Sequence, residues 1–147
     1  MEISDKEESI GYLLQRTTRT TCEFLNQKLI PFDLRVEHWG ALMHLAHYGQ
    51  LSHKALADFM GKDKTNITRL ADFLEKKGWL IRLQDQADRR NKHLKLTEKG
   101  EEFVQKMAPM MQNHFLPEAT QGLSPGELAQ LKKLLKKLYF SIKNNTQ

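Results

Sequence analysis

The stretch from Leu56 to Gly100 constrains the fold of this chain most, because helical and strand periodicities follow one another in it without a gap. It opens with apolar residues at helical spacing, which predict the inner edge of a first helix: Leu56, Phe59 and Met60. Gly61 ends that helix, since glycine accepts the positive φ that a helix end requires. Asp63 is the expected N-cap of a second helix. Two helices joined by so short a turn predict a helix-turn-helix.

The second helix has two faces of different chemistry. Apolar residues at i, i+3, i+4 and i+7 predict its buried face: Ile67, Leu70, Ala71 and Leu74. Residues that donate or accept hydrogen bonds form the other face: Thr65, Thr68, Arg69, Asp72 and Lys76. Lys64 and Asn66 flank its N-terminal turn. In a helix-turn-helix the second helix lies in the major groove of DNA and presents its N-terminal side chains to base edges. An ordinary solvated helix face is the alternative, and the residues that follow the helix decide between the two.

The residues after the second helix predict a small hairpin. Gly78 ends the helix, and apolar residues then alternate with others in strand rhythm over Trp79–Leu83 and again at Leu94 and Leu96. A polar loop lies between these segments and contains Asp88, Arg89, Arg90 and Lys92. An arginine at the tip of such a hairpin suits the narrow, electronegative minor groove of DNA. Gln50 and Leu51 are expected to add a short third strand to this wing.

The order and spacing of five short motifs resemble the DNA-binding module of the MarR (multiple antibiotic resistance regulator) family. The family pattern is a Leu-Ala helix, a threonine-rich recognition helix, an LEKKG turn, an Asp-x-Arg loop and an LTEKG segment. In this chain the five motifs are Leu56-Ala57, Thr65–Arg69, Leu74–Gly78, Asp88–Arg90 and Leu96–Gly100. Each motif alone is weak, whereas their order and spacing together are specific.

The resemblance implies a mainly α fold with a small β-wing, in which a winged helix-turn-helix is flanked by N- and C-terminal dimerisation helices. Residues 1–147 would form one MarR-type domain, with the winged helix at about 35–97 and the dimerisation helices at about 5–30 and 98–144. In the family these outer helices interlock with those of a second chain. Such a homodimer would place its recognition helices about one DNA turn apart and read an inverted-repeat operator in double-stranded DNA.

Helix-start and helix-stop residues support this organisation. Ser4 and Asp5 are expected to begin a first helix that ends near Pro31, and a second helix is expected over Val36–Tyr48. Ser52 is the expected cap of the first helix of the helix-turn-helix.

The C-terminal part carries similar signals. Thr97 is expected to cap a long helix that breaks near Pro109, and Pro117–Gly122 is expected to be a connector. Ser124 as N-cap and Glu127 as the closing residue of a capping box predict the start of a last helix. Its apolar stripe consists of Leu128, Leu131, Leu134, Leu135, Leu138 and Ile142.

The helix-turn-helix and the wing give a set of candidate DNA contacts. The side chains expected in the major groove are Thr65, Asn66, Thr68 and Arg69. Arg89 and Arg90 are expected to serve the wing, with Asp88 holding a guanidinium through a charge-assisted hydrogen bond. The candidate phosphate contacts, which position the protein without specifying bases, are Ser52, Lys64 and Lys92.

The resemblance also implies regulation by a ligand. Family members often release DNA when a small, frequently aromatic molecule enters the crevice between the dimer helices and the winged helix, so we expect a repressor. Tyr12, His38 and Trp39 are the candidates for the wall of that crevice. No cofactor is expected.

The charge distribution favours a polyanionic partner. The formal net charge is +5, and residues 62–95 hold ten Lys or Arg against five Asp or Glu, while the remaining residues hold thirteen of each. The whole excess therefore falls on the proposed reading module. No apolar run is long enough for a transmembrane helix, no secretory signal is expected, and a single cysteine suits the cytoplasm.

Other residue types point to no chemistry. Cys22 raises the alternative of a redox-sensing regulator, but it lies about three turns beyond the position of the sensing cysteine in such relatives, which favours a partly buried structural thiol. The histidines lack zinc-site spacing, so no metal is expected. Since no nucleophile with a base and no phosphate-binding glycine loop is present, we expect no enzyme.

Two alternatives to a sequence-specific regulator remain from the residues alone. A sequence-tolerant architectural protein would bind random duplex as well as an inverted repeat. A winged helix that serves as a protein-interaction platform would be indifferent to duplex DNA, and the concentrated positive charge counts against it.

Overall fold

The computed structural model describes residues 9–88, 90 and 92–146, and these form helices with one small antiparallel sheet. The helices are α1 (Ile10–Leu29), α2 (Val36–Tyr48), α3 (His53–Met60), α4 (Lys64–Lys76), α5 (Glu98–Met110), α6 (Leu116–Ala119) and α7 (Pro125–Asn145). The strands are β1 (Gln50–Ser52), β2 (Leu80–Gln84) and β3 (Lys92–Leu96). The predicted fold class, mainly α with a small β-wing, is confirmed. The chain divides into two compact units, 1–110 and 111–147.

The sheet is the wing together with the short third strand that the sequence predicts. Its order is β1-β3-β2, and both pairs are antiparallel. Leu94 in the central strand pairs with Leu51 on one side and with Arg82 on the other. The pairing fixes the wing against the start of α3, because β1 runs directly into that helix.

Helix α1 ends where the sequence places its stop signals. The chain passes from Leu29 into a 3-10 turn over Ile30–Phe32, and Asp33 follows in the left-handed region with φ of 52°. The predicted start at Ser4 and Asp5 lies outside the described residues.

The core of the first unit is formed by leucine-rich faces of α1 to α4 and the sheet. Its largest fully buried side chains are Leu29, Leu42, Leu45, Leu56, Ile67, Leu74, Leu80 and Leu94. Each contributes about 1.5–3 kcal/mol through burial, so the core holds the two helices of the helix-turn-helix firmly. The prediction that Phe59 belongs to the inner edge of α3 is wrong, because its side chain is 48% exposed. It lies one residue before the end of this short helix, where its ring stacks on Tyr48 at 4.8 Å.

Gly100 lets helix α5 pack directly on the backbone that precedes β2. A Cβ at this position would lie 2.1 Å from the carbonyl oxygen of Trp79, far inside contact distance. The same carbonyl accepts the N–H of Thr97 at 2.9 Å, and the Thr97 hydroxyl accepts the N–H of Gly100 at 3.0 Å. The predicted cap at Thr97 is therefore confirmed, and the LTEKG segment closes the wing onto α5.

The second unit begins where Pro109 disturbs α5. The α-helix gives way after Met110 to a π-helical stretch over Met111–Phe115, which confirms the predicted break. Pro117–Gly122 is not wholly a connector, because Leu116–Ala119 forms the short helix α6. Proline is accepted in the first turn of a helix, where its missing N–H would have no partner.

Helix α7 starts at the predicted capping box. The Ser124 hydroxyl accepts the Glu127 N–H at 3.1 Å, and the Glu127 carboxylate accepts the Ser124 N–H at 2.9 Å. Its apolar stripe stays open within the chain, since Leu131 and Leu135 are each 43% exposed. Among the described residues, no helix combines the length and apolar character needed to cross a bilayer.

Candidate nucleic-acid interface

Local capping sets the positions of α3 and α4. The Ser52 hydroxyl accepts the N–H of Ala55 at 3.0 Å, and the Asp63 carboxylate accepts the N–H of Asn66 at 2.8 Å. Gly61 links the two helices with φ of 63°, a conformation that costs glycine little. The three predicted turn residues, Ser52, Gly61 and Asp63, thus have the predicted roles.

Helix α4 presents its polar face to solvent. The four residues predicted for its inner face are all buried: Ile67, Leu70, Ala71 and Leu74. The side chains of Ile67 and Leu74 have no exposed surface. The candidate base-reading side chains lie on the opposite face, where Thr65, Thr68 and Arg69 are exposed and Asn66 is half-buried. The Arg69 guanidinium lies 3.4 Å from the Asn66 amide oxygen, and the Thr68 hydroxyl donates to the Lys64 carbonyl at 2.9 Å. The face therefore offers both donors and acceptors.

Arg82 on β2 fastens the wing to α4, a role that the sequence reasoning missed. Its guanidinium contacts Asp72 at 2.6 Å and Glu75 at 3.0 Å, and it donates to the Thr68 carbonyl at 3.3 Å. A signal was present in the sequence: an arginine interrupts an apolar strand segment, and two carboxylates stand at i and i+3 on the preceding helix. The contact orients the wing relative to the helix that would read DNA.

Carboxylates shape the tip of the wing. Asp88 accepts the backbone N–H of Arg90 at 3.0 Å, and Asp85 accepts the backbone N–H of Ala87 at 2.9 Å. The predicted bond from Asp88 to a guanidinium stays a prediction, and Arg89 lies outside the described residues. Arg90 and Lys92 are exposed at the end of the hairpin.

A groove of about 660 Å³ separates α3, α4 and the wing. It is lined mainly by cationic and polar side chains: His53, Lys54, Ala57, Lys64, Thr68, Asp72, Arg82, Arg90 and Lys92. It brings together several predicted DNA contacts from separate elements, namely Lys64, Thr68, Arg90 and Lys92. Five cations against one carboxylate make this a surface that attracts a polyanion.

The C-terminal end of α4 is held by the segment after α1. Lys77 pairs with Asp33 at 2.6 Å, and its hydrogen bond and positive charge lower the pKa of that carboxyl. His38 stacks on Phe73 at 3.9 Å, and its Nδ1 accepts the N–H of Arg35 at 3.0 Å. These contacts connect the C-terminal end of α4 to α2 and to the segment before it, at the end opposite the exposed N-terminal turn of α4.

The candidate ligand-wall residues lie in unlike surroundings. His38 and Trp39 are buried, at 8% and 7% exposure, and His38 caps α2. Burial lowers the pKa of His38, which favours the neutral ring that accepts the N–H of Arg35. Tyr12 is 39% exposed on α1, where Arg16 lies over its ring at 5.3 Å. None of the three lines the basic groove, and their ligand role stays a prediction.

The remaining candidates are plain structural features. Cys22 is a free, half-buried thiol on α1, which agrees with a partly buried structural cysteine. No cluster of metal-ligating side chains occurs in the part of the chain that the structure describes.

Comparison with known proteins finds similarity to the MarR family. The model of the MarR family matches residues 34–92, which contain the helix-turn-helix and most of the wing. The transcriptional repressor MprA of Escherichia coli is 44% identical over 79 residues, which is 54% of this chain. That match spans only 44% of the length of MprA.

Solved structures extend the similarity beyond the winged helix. The reduced form of MarR from Escherichia coli has a TM-score of 0.78 at 27% identity, covering 88% of this chain and 96% of that chain. A mutant of the same MarR, complexed with operator DNA, has a TM-score of 0.81 at 25% identity, covering 94% of this chain and 99% of that chain.

Proposed function

We propose that this chain, whose winged helix belongs to the MarR family, is a dimeric transcriptional regulator that binds an inverted-repeat operator in double-stranded DNA. One observation carries the proposal: the exposed N-terminal half of α4 borders a groove whose walls hold five cations from α3, α4 and the wing. Base-reading groups and phosphate-binding groups therefore face the same side of the molecule, as operator binding requires.

The roles divide between the two parts of this surface. Thr65, Asn66, Thr68 and Arg69 would enter the major groove, where an arginine fork pairs with guanine O6 and N7. The wing residues Arg89 and Arg90 would reach the minor groove, and Ser52, Lys64 and Lys92 would contact phosphates.

Dimerisation would use the helices outside the winged helix. The exposed stripe of α7 is apolar over about four turns and has lysines on its other side, so a partner surface is expected to cover it. A second copy of the chain would cover the stripe through two-fold symmetry. Each protomer would then be a single MarR-type domain over residues 1–147. The two recognition helices would then meet successive turns of one DNA face.

Repression and ligand release are the finer parts of the proposal. A relative with 44% identity over 79 residues is a transcriptional repressor, which supports repression as the sign of regulation for this protein. We place that activity in the cytoplasm. A small aromatic molecule would act in the crevice beside Tyr12, His38 and Trp39 by changing the spacing of the two recognition helices.

The test is footprinting of the purified protein on the DNA upstream of its own gene. We expect protection of an inverted repeat whose half-sites lie about one helical turn apart. The Arg69→Ala variant should lose this protection, whereas Lys133→Ala, a change on the exposed lysine face of α7, should keep it. Uniform protection of the DNA, with no preference for a repeat, would support the sequence-tolerant architectural alternative. Absence of protection would support the alternative of a protein-interaction platform.

A further inference from the structure

We propose that His53 takes up a proton when DNA occupies the basic groove, so that the affinity for duplex rises as the pH falls. The inference rests on the proposed function, because it requires DNA in this groove. It makes His53 part of the DNA-binding surface, a role that the sequence reasoning did not give it.

The position of His53 carries the proposal. It is the first residue of α3, directly after the capping Ser52, and its ring lines the groove between α3, α4 and the wing. Its Nε2 is buried and has no hydrogen-bond partner in the described part of the chain. Buried polar nitrogens almost always have a partner, so the free protein leaves this atom in an unfavourable state.

Charged groups on the wing and on α4 act on the ring. Arg82 faces it from β2, Lys92 from β3, and Lys64 and Asp72 from α4. Burial first, and then the three cations, lower the pKa of His53, while Asp72 acts weakly in the opposite direction. That carboxylate is already paired with Arg82 at 2.6 Å, so it does little to stabilise a protonated ring in the free protein.

DNA would reverse this balance. Phosphates in the groove would offset the charges of Lys64, Arg82 and Lys92, which oppose protonation of the ring in the free protein. The pKa of His53 would then be higher in the complex than in the free protein. Protons are taken up on binding between these two pKa values, so log K increases as the pH falls through that interval and is flat above it.

The first experiment compares wild type with His53→Gln on one duplex at fixed salt, between about pH 6 and pH 7.5. For each unit by which the pH falls, the affinity of wild type for the duplex should increase up to about tenfold per protomer. The variant should lose most of this dependence of log K on pH. His93→Gln is the matched control, because His93 lies on β3 beside Asp85 at 3.7 Å and should keep the slope.

A second measurement uses only the wild-type protein, so its result does not depend on whether a variant folds. Calorimetric titration of wild type with duplex in buffers of different ionisation enthalpy counts the protons taken up on binding. We expect uptake that approaches one proton per protomer near pH 6.5 and vanishes near pH 8. Tight duplex binding without uptake, or a His53→Gln variant that keeps the full slope, would overturn the inference alone. Absence of duplex binding at every pH would overturn the proposed function as well.

Discussion

The Arg82 guanidinium on β2 lies 2.6 Å from the Asp72 carboxylate on α4, and this pair joins the wing to the helix that would read DNA. The arginine side chain is only 23% exposed, whereas that of Asp72 is 62% exposed. The pair is therefore partly screened by water, and its main effect is on the orientation of the wing rather than on overall stability.

A double-mutant cycle with Arg82→Ala and Asp72→Ala should show a favourable coupling of about 0.5–1 kcal/mol in the free energy of unfolding by urea. Lys76→Ala serves as the control partner for Arg82→Ala, because a second cation on α4 cannot attract Arg82. Additivity of the Arg82 and Asp72 changes would show that the pair does not fasten the wing. Both single changes should also weaken operator binding.

Gly100→Ala should destabilise the protein by about 1–3 kcal/mol, because the added Cβ meets the Trp79 carbonyl and α5 must shift. Gly126→Ala is the control: nothing lies within 4 Å of its Cβ position, so the better helix propensity of alanine should leave stability equal or higher. Thermal unfolding of both variants checks this. Equal unfolding temperatures for Gly100→Ala and wild type would refute the close approach.

Replacing both Leu131 and Leu135 with glutamate should abolish the dimer and operator binding together, since charge would be buried in the subunit interface. Lys133→Glu with Lys137→Glu places the same charges on the opposite side of α7 and should leave the dimer intact. Sedimentation velocity distinguishes the two variants. A double-leucine variant that stays dimeric would rule out α7 as the interface.

Short-range features could be predicted from the sequence because their physics lies within one turn of helix. The caps at Ser52, Asp63 and Ser124 each bond a backbone N–H three residues later, so the motif itself contains both partners. The wing and the resemblance to the MarR family followed from motif order, and the model of that family matches residues 34–92.

Features that depend on tertiary contact could not be predicted in this way. Arg82 meets Asp72 only after β2 packs beside α4, and Phe59 turns outward because Tyr48 offers its ring a partner near the end of α3. The buried Nε2 of His53 likewise depends on three elements that converge. The short helix Leu116–Ala119 is not evident from the sequence, because proline favours a helix only in the first turn, where Pro117 lies.

The most direct test of DNA reading by α4 and the wing is a salt titration of Arg69→Ala and Arg90→Ala on an operator and on a scrambled duplex. Arg69→Ala should cost about 1–3 kcal/mol on the operator and relax discrimination there, because a guanidinium in the major groove reads base identity. Arg90→Ala should weaken binding to both duplexes by similar factors and make log K less steep in log salt by roughly one ion. An Arg69→Ala variant with full discrimination, or an Arg90→Ala variant that binds scrambled duplex as tightly as wild type, would contradict this division of the interface.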